Sequence, residues 1–209
     1  MLNYPIATTI VLAIIAGYFY LYKFFYKYWE GYKNPSNLIL IGDSILNNSN
    51  YVSEKNNVEN KLKLLGYNVT CLAKDNTTLD TIDFQLNKLN LLNKKDVIII
   101  SVGGNDILAR KNINDIEYQY EEMIKQIKNK GYNRILILDV YYPPFVQCKP
   151  FYKKVSIWNN SLTKFTNQDC NVVRISKIMN SGKDFVYEIE PSEIGSEKIA
   201  NYIDKYLSV

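Results

Sequence analysis

No histidine occurs among the 209 residues of this chain. That absence excludes a Ser-His-Asp or Cys-His catalytic set supplied by the chain alone. It also excludes zinc fingers of the Cys2His2 type and the zinc hydrolases that depend on imidazole. Cysteine is nearly as scarce. Cys71, Cys148 and Cys170 share no C-x-x-C spacing, which argues against a zinc ribbon or a thioredoxin-like motif. Three scattered cysteines are not a disulfide framework, so the domain must be held by its core. Arginine supplies only three residues, and the net charge is a mild +4. The lysines are scattered, so no basic patch marks a nucleic-acid partner. Nothing in the pattern calls for a metal or another cofactor.

Asn and Ile are abundant at 25 each, with Lys at 22 and Tyr at 18. Their codons are AT-rich, so the excess reads as base composition before function. The sequons beginning at Asn47, Asn68, Asn76 and Asn159 fall under the same reading, because chance alone supplies several in so Asn-rich a chain.

Residues 1–22 carry no charged side chain. From Ile6 to Tyr22 the run is almost wholly apolar, and at about 1.5 Å per residue it matches a bilayer core of ~30 Å. Tyr18, Tyr20, Tyr22, Tyr26, Tyr28 and Trp29 crowd its C-terminal edge, where an interfacial belt lies. The segment lacks the basic start and small-x-small cleavage site of a signal peptide. A single-pass transmembrane anchor over 1–22 is therefore expected. Lys23, Lys27 and Lys33 follow the span, and the positive-inside bias then puts the rest of the chain on the cytoplasmic side. Residues 23–37 read as a basic, aromatic juxtamembrane linker, interrupted by Gly31, Asn34, Pro35 and Ser36.

The remainder, 38–209, alternates strand and helix signals. Strands are expected over 38–41, 67–71, 96–102, 134–138 and 172–175. Helices are expected over 53–65, 78–92, 114–130 and 152–166, and Ser192 caps a last one. Five β-α units whose strands are apolar on both faces imply a parallel sheet covered by helices on both sides. The expected fold is α/β, a three-layer α/β/α flavodoxin-like arrangement with five parallel strands. In such folds the site lies outside the carboxyl ends of the strands.

Those ends carry Gly42-Asp43-Ser44-Ile45 after the first strand and Ala73 to Thr78 after the second. Gly103-Gly104-Asn105-Asp106 follows the third, and Asp139 with Tyr141-Tyr142-Pro143-Pro144 follows the fourth. Tyr187-Glu188-Ile189-Glu190 precedes the last helix. A Ser directly after a strand and a glycine turn suits a nucleophile whose own N–H serves as an oxyanion donor. A side-chain amide on the next strand end, Asn105, supplies another. A capping turn is the plain alternative for Gly-Asp-Ser alone.

Taken together these residues resemble the SGNH, or GDSL, hydrolases. Gly42-Asp43-Ser44-Ile45 is similar to their first block, with Ile for the usual Leu, and Gly103-Gly104-Asn105-Asp106 to their third. Residues 191–200 resemble the segment that follows their last block. The resemblance covers most of 38–207. It implies metal-free ester hydrolysis through an acyl-serine. Ser44 is then the nucleophile, and the Ser44 N–H and the Asn105 amide are oxyanion donors. Asp43, Gly104 and Asn76 belong to the oxyanion or binding side. Asn76 stands where the family's second-block Gly would be, and Asn tolerates a positive φ better than most residues.

The last block, Asp-x-x-His in the family, reads Tyr187 to Glu190 here. The catalytic candidates are therefore Ser44, Asn105 and Glu190, with Glu188 or Asp43 as the neighbouring carboxyl and Asp139 as a spare. An ordinary Glu is about two pKa units less basic than His, a deficit of roughly 3 kcal/mol in proton affinity. The sedolisin peptidases offer a chemical precedent for Ser with Glu, and they favour acid. Expected ligands are small-molecule, lipid or glycan esters. The alternative is a catalytically inactive relative that binds a glycan, lipid or protein in the same cleft, or a membrane-associated protein that leaves the cleft unused.

Overall fold

A computed structural model of the chain describes residues 37–144 and 149–208, together with Gly17. Apart from Gly17, the expected anchor over 1–22 lies outside these residues, as does nearly all of the expected linker. Among the described residues no helix is long and apolar enough to cross a membrane. The account below concerns the compact unit formed by residues 35–207.

Strands β1 (Asn37–Gly42), β2 (Asn68–Cys71), β3 (Val97–Ser101), β4 (Ile135–Leu138) and β5 (Cys170–Val173) form one sheet in the order β2-β1-β3-β4-β5. All four pairings are parallel. The helices are α1 (Val58–Leu64), α2 (Asp83–Lys88), α3 (Gly104–Leu108), α4 (Ile113–Asn129), α5 (Lys149–Ser161) and α6 (Glu193–Leu207). A short antiparallel hairpin, β6 (Phe185–Val186) with β7 (Glu190–Pro191), precedes α6.

Strand residues alternate between two cores, as a period of two requires. Ile39, Ile41, Ile98, Ile100, Ile135 and Ile137 pack with Leu86 of α2, Tyr120 and Ile127 of α4, and Trp158 of α5. Leu38, Leu40, Val97, Ile99, Leu136 and Leu138 pack on the other face with Leu62 of α1 and Ile199 and Ile203 of α6. Both faces are dry, which explains the unbroken apolar runs in the sequence. The sheet is the five-stranded parallel one expected from the alternation, and helices flank it on both sides.

Boundaries differ where side chains capture backbone groups. The helix expected over 78–92 shrinks to α2 and a 3-10 turn at Leu89–Leu91. Thr78 donates its N–H to the Thr81 hydroxyl at 3.0 Å, and Leu79 donates its own to the Asp106 carboxylate at 3.1 Å. Such local bonds compete with the helical ladder. The last strand ends at Val173 because the Ser176 N–H is taken by Asp139 Oδ1 at 2.8 Å, which starts a 3-10 turn instead. Ser192 does cap α6, accepting the Gly195 N–H at 3.1 Å.

Candidate active site

The end of β1 is shaped by one glycine. Gly42 has φ +128°, and a Cβ there would fall 1.7 Å from the Ser101 carbonyl oxygen. Only Gly lets β1 turn this close to β3. Asp43 then locks the turn. Its N–H donates to Ser101 O at 2.8 Å, and its Oδ1 accepts the Ser101 hydroxyl at 2.7 Å and the Ile45 N–H at 3.1 Å. The result is a buried Ser44 between β1 and β3, where the strand order reverses. That switch point is where open α/β sheets place their ligands. Burial pushes the Asp43 carboxyl up to about 7, against the pull of its Ser101 and Ile45 bonds, and the charges of Glu190 and Asp106 add to the rise.

Asn105 lies in the first turn of α3. One of its amide hydrogens goes to Thr77 O at 3.0 Å. A side-chain amide has two, so the second is free to face the cleft. The Thr77 hydroxyl in turn accepts Gln85 Nε2 at 3.0 Å. Gln85 also embraces Gly42, accepting its N–H at 2.7 Å and donating to its carbonyl at 2.8 Å. One buried amide thus ties the end of β1 to the segment that holds Asn105. Asp106 is fully buried and binds the Leu79 N–H and Lys111 Nζ, the latter at 2.7 Å, so it supports the loop. Gly104 backs onto the Asp43 carboxyl.

Glu190 arrives from the far end of the chain. Asn48, fully buried, donates to Pro191 O at 2.9 Å and to Ser196 Oγ at 2.6 Å, and accepts the Val58 N–H at 3.1 Å. Tyr141 donates its hydroxyl to Ile189 O at 2.7 Å. The segment around Glu190 is therefore pinned from both sides. Its close fit to α6 depends on Gly195, where a Cβ would lie 2.2 Å from Asp184 O. Glu190 is 9% exposed. Burial raises its pKa; a hydrogen bond with the Ser44 side chain opposes the rise, and the Asp75 charge adds to it. Its Oε2 has no hydrogen-bond partner among the described residues.

The cleft, counted together with the open solvent at its mouth, measures about 410 Å³. Asp43, Ser44, Gly104, Asn105 and Glu190 form its polar side, and Leu108, Val140, Tyr141, Pro143, Phe151 and Ile189 its apolar side. Two expected residues are not among these lining groups. Glu188 is exposed at the hairpin tip with φ +70°. Asn76 does adopt a positive φ, +58°, but it is exposed and its N–H donates to Asp75 Oδ1 at 2.8 Å. Asp139, the spare carboxylate, is committed elsewhere: it binds the Ser176 hydroxyl at 2.6 Å and lies 3.7 Å from Arg174. The sequon residue Asn159 is buried and bonded to the Val140 backbone at 2.9 and 2.6 Å. Among the described residues no group of three or more His, Cys, Asp or Glu side chains is placed to hold a metal ion.

Sequence reasoning passed over Gln85 and Asn48, which hold the site together, and Leu108 and Phe151, which line it. Gln85 did leave a trace. With Ile82, Leu86 and Leu89 it fills an i, i+3, i+4, i+7 stripe, so a polar residue occupies a core position. Asn48 left none, since its partners are more than 140 residues away in two of three cases.

No known family profile and no curated protein sequence matches the chain. Solved structures do. It resembles a lipolytic protein of the G-D-S-L family from Veillonella parvula with a TM-score of 0.69, at 16% identity over 81% of this chain and 97% of that one. The psychrotrophic esterase EstA from Pseudoalteromonas matches at 0.66, with 13% identity over 83% of this chain and all of that one, 100%. The acetyl xylan esterase AlAXEase matches at 0.64, with 14% identity over 81% and 98%. The chain has the fold of the GDSL, or SGNH, hydrolases.

Proposed function

We propose that the protein is a serine ester hydrolase in which Glu190 performs the proton transfers a histidine performs elsewhere. The carrying observation is that the buried Glu190 carboxyl and the Ser44 side chain line one cleft together with Asn105. Ser44 Oγ attacks the ester carbonyl while Glu190 accepts its proton. The developing oxyanion is met by the Ser44 N–H and the free Asn105 amide hydrogen. Glu190 returns the proton to the leaving alcohol, and the acyl group remains on Ser44. Glu190 then takes a proton from water, the hydroxide attacks the acyl carbonyl, and the proton passes from Glu190 to Ser44 Oγ as the acyl–Oγ bond breaks and the acid leaves. The basicity deficit of Glu is narrowed by burial, the first cause of its raised pKa.

The apolar run over 1–22 tethers this domain to a membrane in the same reading, with the domain on the cytoplasmic side. Protection of the domain from added protease in sealed right-side-out vesicles supports that topology, and digestion refutes it. The hydrolase reading is tested with p-nitrophenyl esters between about pH 4 and 8 and with a fluorophosphonate label. Ser44→Ala should abolish both turnover and labelling. Wild type and Ser44→Ala indistinguishable at every pH would end this reading.

A further inference from the structure

We infer that the end of the domain opposite Ser44 docks on an anionic lipid bilayer through exposed leucines and unpaired cations. This rests on the membrane tether proposed above for residues 1–22, and on the anionic leaflet that a cytoplasmic-side domain faces. It does not depend on ester hydrolysis. All four strand pairings are parallel, so the five strands start at one end of the sheet, and the Ser44 turn lies at the other. Hydrogen bonds join the loops at the starting end. Asn68 Nδ2 donates to Asn37 Oδ1 at 2.8 Å, Asn37 Nδ2 to Asp96 Oδ1 at 3.0 Å, and Lys130 Nζ to Asn90 Oδ1 at 2.9 Å.

Two kinds of side chain gather there. Leu91 is 87% exposed and Leu64 77%, the highest values for large apolar side chains among the described residues. Leu64 ends α1 just before β2, and Leu91 ends the 3-10 turn that leads to β3. Single exposed leucines are ordinary; these two stand beside cations. Lys94 and Lys95 precede β3, Arg134 precedes β4, and Lys130 closes α4. None of the four is in an ion pair among the described residues. The carboxylates at this end are already engaged: Glu59 by Lys63, Asp169 by Lys128, Asp96 by Asn37 and Asp204 by the Tyr67 hydroxyl. A helix C-terminus favours a cation, which accounts for Lys130. Lys94, Lys95 and Arg134 lead into strands, so that reason does not reach them. Cations scattered along the sequence are thus brought to one end by the fold.

This combination fits a headgroup layer. Lysine and arginine are drawn to an anionic surface, and leucine enters the acyl boundary beneath it. Nucleic acid would engage the cations and leave the leucines in water. The tether points to the same occupant. It joins the domain at Asn37, at this end of the sheet, and its fourteen residues 23–36 reach at most about 50 Å when fully extended. A face held so near meets the bilayer in an intramolecular event, so a few weak contacts are enough. Docking by this end turns the Ser44 cleft away from the bilayer and toward the aqueous phase.

The test is Leu91→Trp in the full chain, reconstituted in vesicles of bromine-labelled phosphatidylcholine with or without phosphatidylserine in both leaflets. Bromine quenches tryptophan on contact. The emission added over wild type should be blue-shifted and quenched with phosphatidylserine and neither without it. Tyr187→Trp, at the cleft end, should show neither change in either vesicle. Lys94→Gln, Lys95→Gln and Arg134→Gln, added together to Leu91→Trp, should abolish the quenching. No quenching with phosphatidylserine, equal quenching without it, quenching at both ends of the domain, or quenching that the three glutamines leave intact overturns the inference. A blue shift that grows with protein density in phosphatidylcholine alone marks a second copy of the chain as the occupant and also overturns it. Wild type that carbonate strips from the vesicles ends the anchor reading by itself. Untreated protein is then sedimented with phosphatidylserine vesicles: pelleting that the three glutamines abolish upholds the docking face, and no pelleting overturns it.

Discussion

Glu190→Gln separates the chemistry of the cleft from its packing, because the two effects have opposite signs. The wild-type carboxyl is 9% exposed and its Oε2 has no partner among the described residues. Its pKa is raised, first by burial. A raised carboxyl pKa means that the folded state holds the proton more tightly than the unfolded chain. Stability associated with this group is therefore complete below the ordinary value of 4.5 and is lost as pH rises through the folded pKa. An unpaired buried group costs ~1–3 kcal/mol, and a charged one sits at the upper end. Glutamine keeps the shape and one unpaired amide but removes the charge, so it should recover about 1 kcal/mol at neutral pH. In a domain of this size that is a thermal midpoint higher by ~2–4 °C. Near pH 4 the carboxyl is protonated and the two proteins should melt together. Asp43, pushed up to about 7, titrates in both, and losing the Glu190 charge that adds to its rise lowers its pKa in the variant, which reinforces the gain at neutral pH. Activity should move the other way. Loss of a general base costs ~10²–10⁴ in rate, and the rise of kcat/KM with pH through the Glu190 titration should vanish in the variant. Melting curves at pH 4 and 7, paired with pH-stat rates, decide the matter. A variant that is less stable at neutral pH while keeping wild-type activity would refute the assignment of Glu190 as the base.

Two further substitutions probe the supports. Asn105→Ala should lower kcat by ~10²–10³ with a smaller effect on KM, since an oxyanion donor acts mainly in the transition state; equal kcat would remove Asn105 from the mechanism. Asn48→Ala strands the buried Val58 N–H and Pro191 carbonyl, so urea denaturation should show a loss of about 2–4 kcal/mol. The loosened Glu190 should lower kcat as well, and an unaffected kcat in the folded variant would show that the hairpin is held by other contacts.

The parts of this protein that were legible in its sequence are those decided by neighbours along the chain. The isoleucine-rich β3 is apolar from Val97 to Ile100 because both of its faces are covered, and that signal needs no partner to be read. Gly42-Asp43-Ser44 and Gly104-Asn105 stood out for the same reason: the turn chemistry is local. The hairpin β6–β7 was not legible. Its strands have two residues each, too short for any periodicity, and Tyr187 and Glu188 contradict the residue preferences of a tight turn. The helix expected over 78–92 failed through a long-range competitor, Asp106, which takes the Leu79 N–H from 27 residues away. The anchor expected over 1–22 falls outside the described residues, so its outcome rests on the vesicle assay.

The bonds from Asn48 to Pro191 and Ser196 span sequence separations of 143 and 148 residues. In synthesis the turn at Ser44 precedes the Glu190 segment by 146 residues. Closing so long a loop is slow, and domains mature in the order in which they are synthesised. In the proposed mechanism, Ser44 therefore lacks its proton acceptor until the segment around Glu190 has docked on Asn48. In that mechanism, a chain whose Glu190 segment has not docked carries an inert serine.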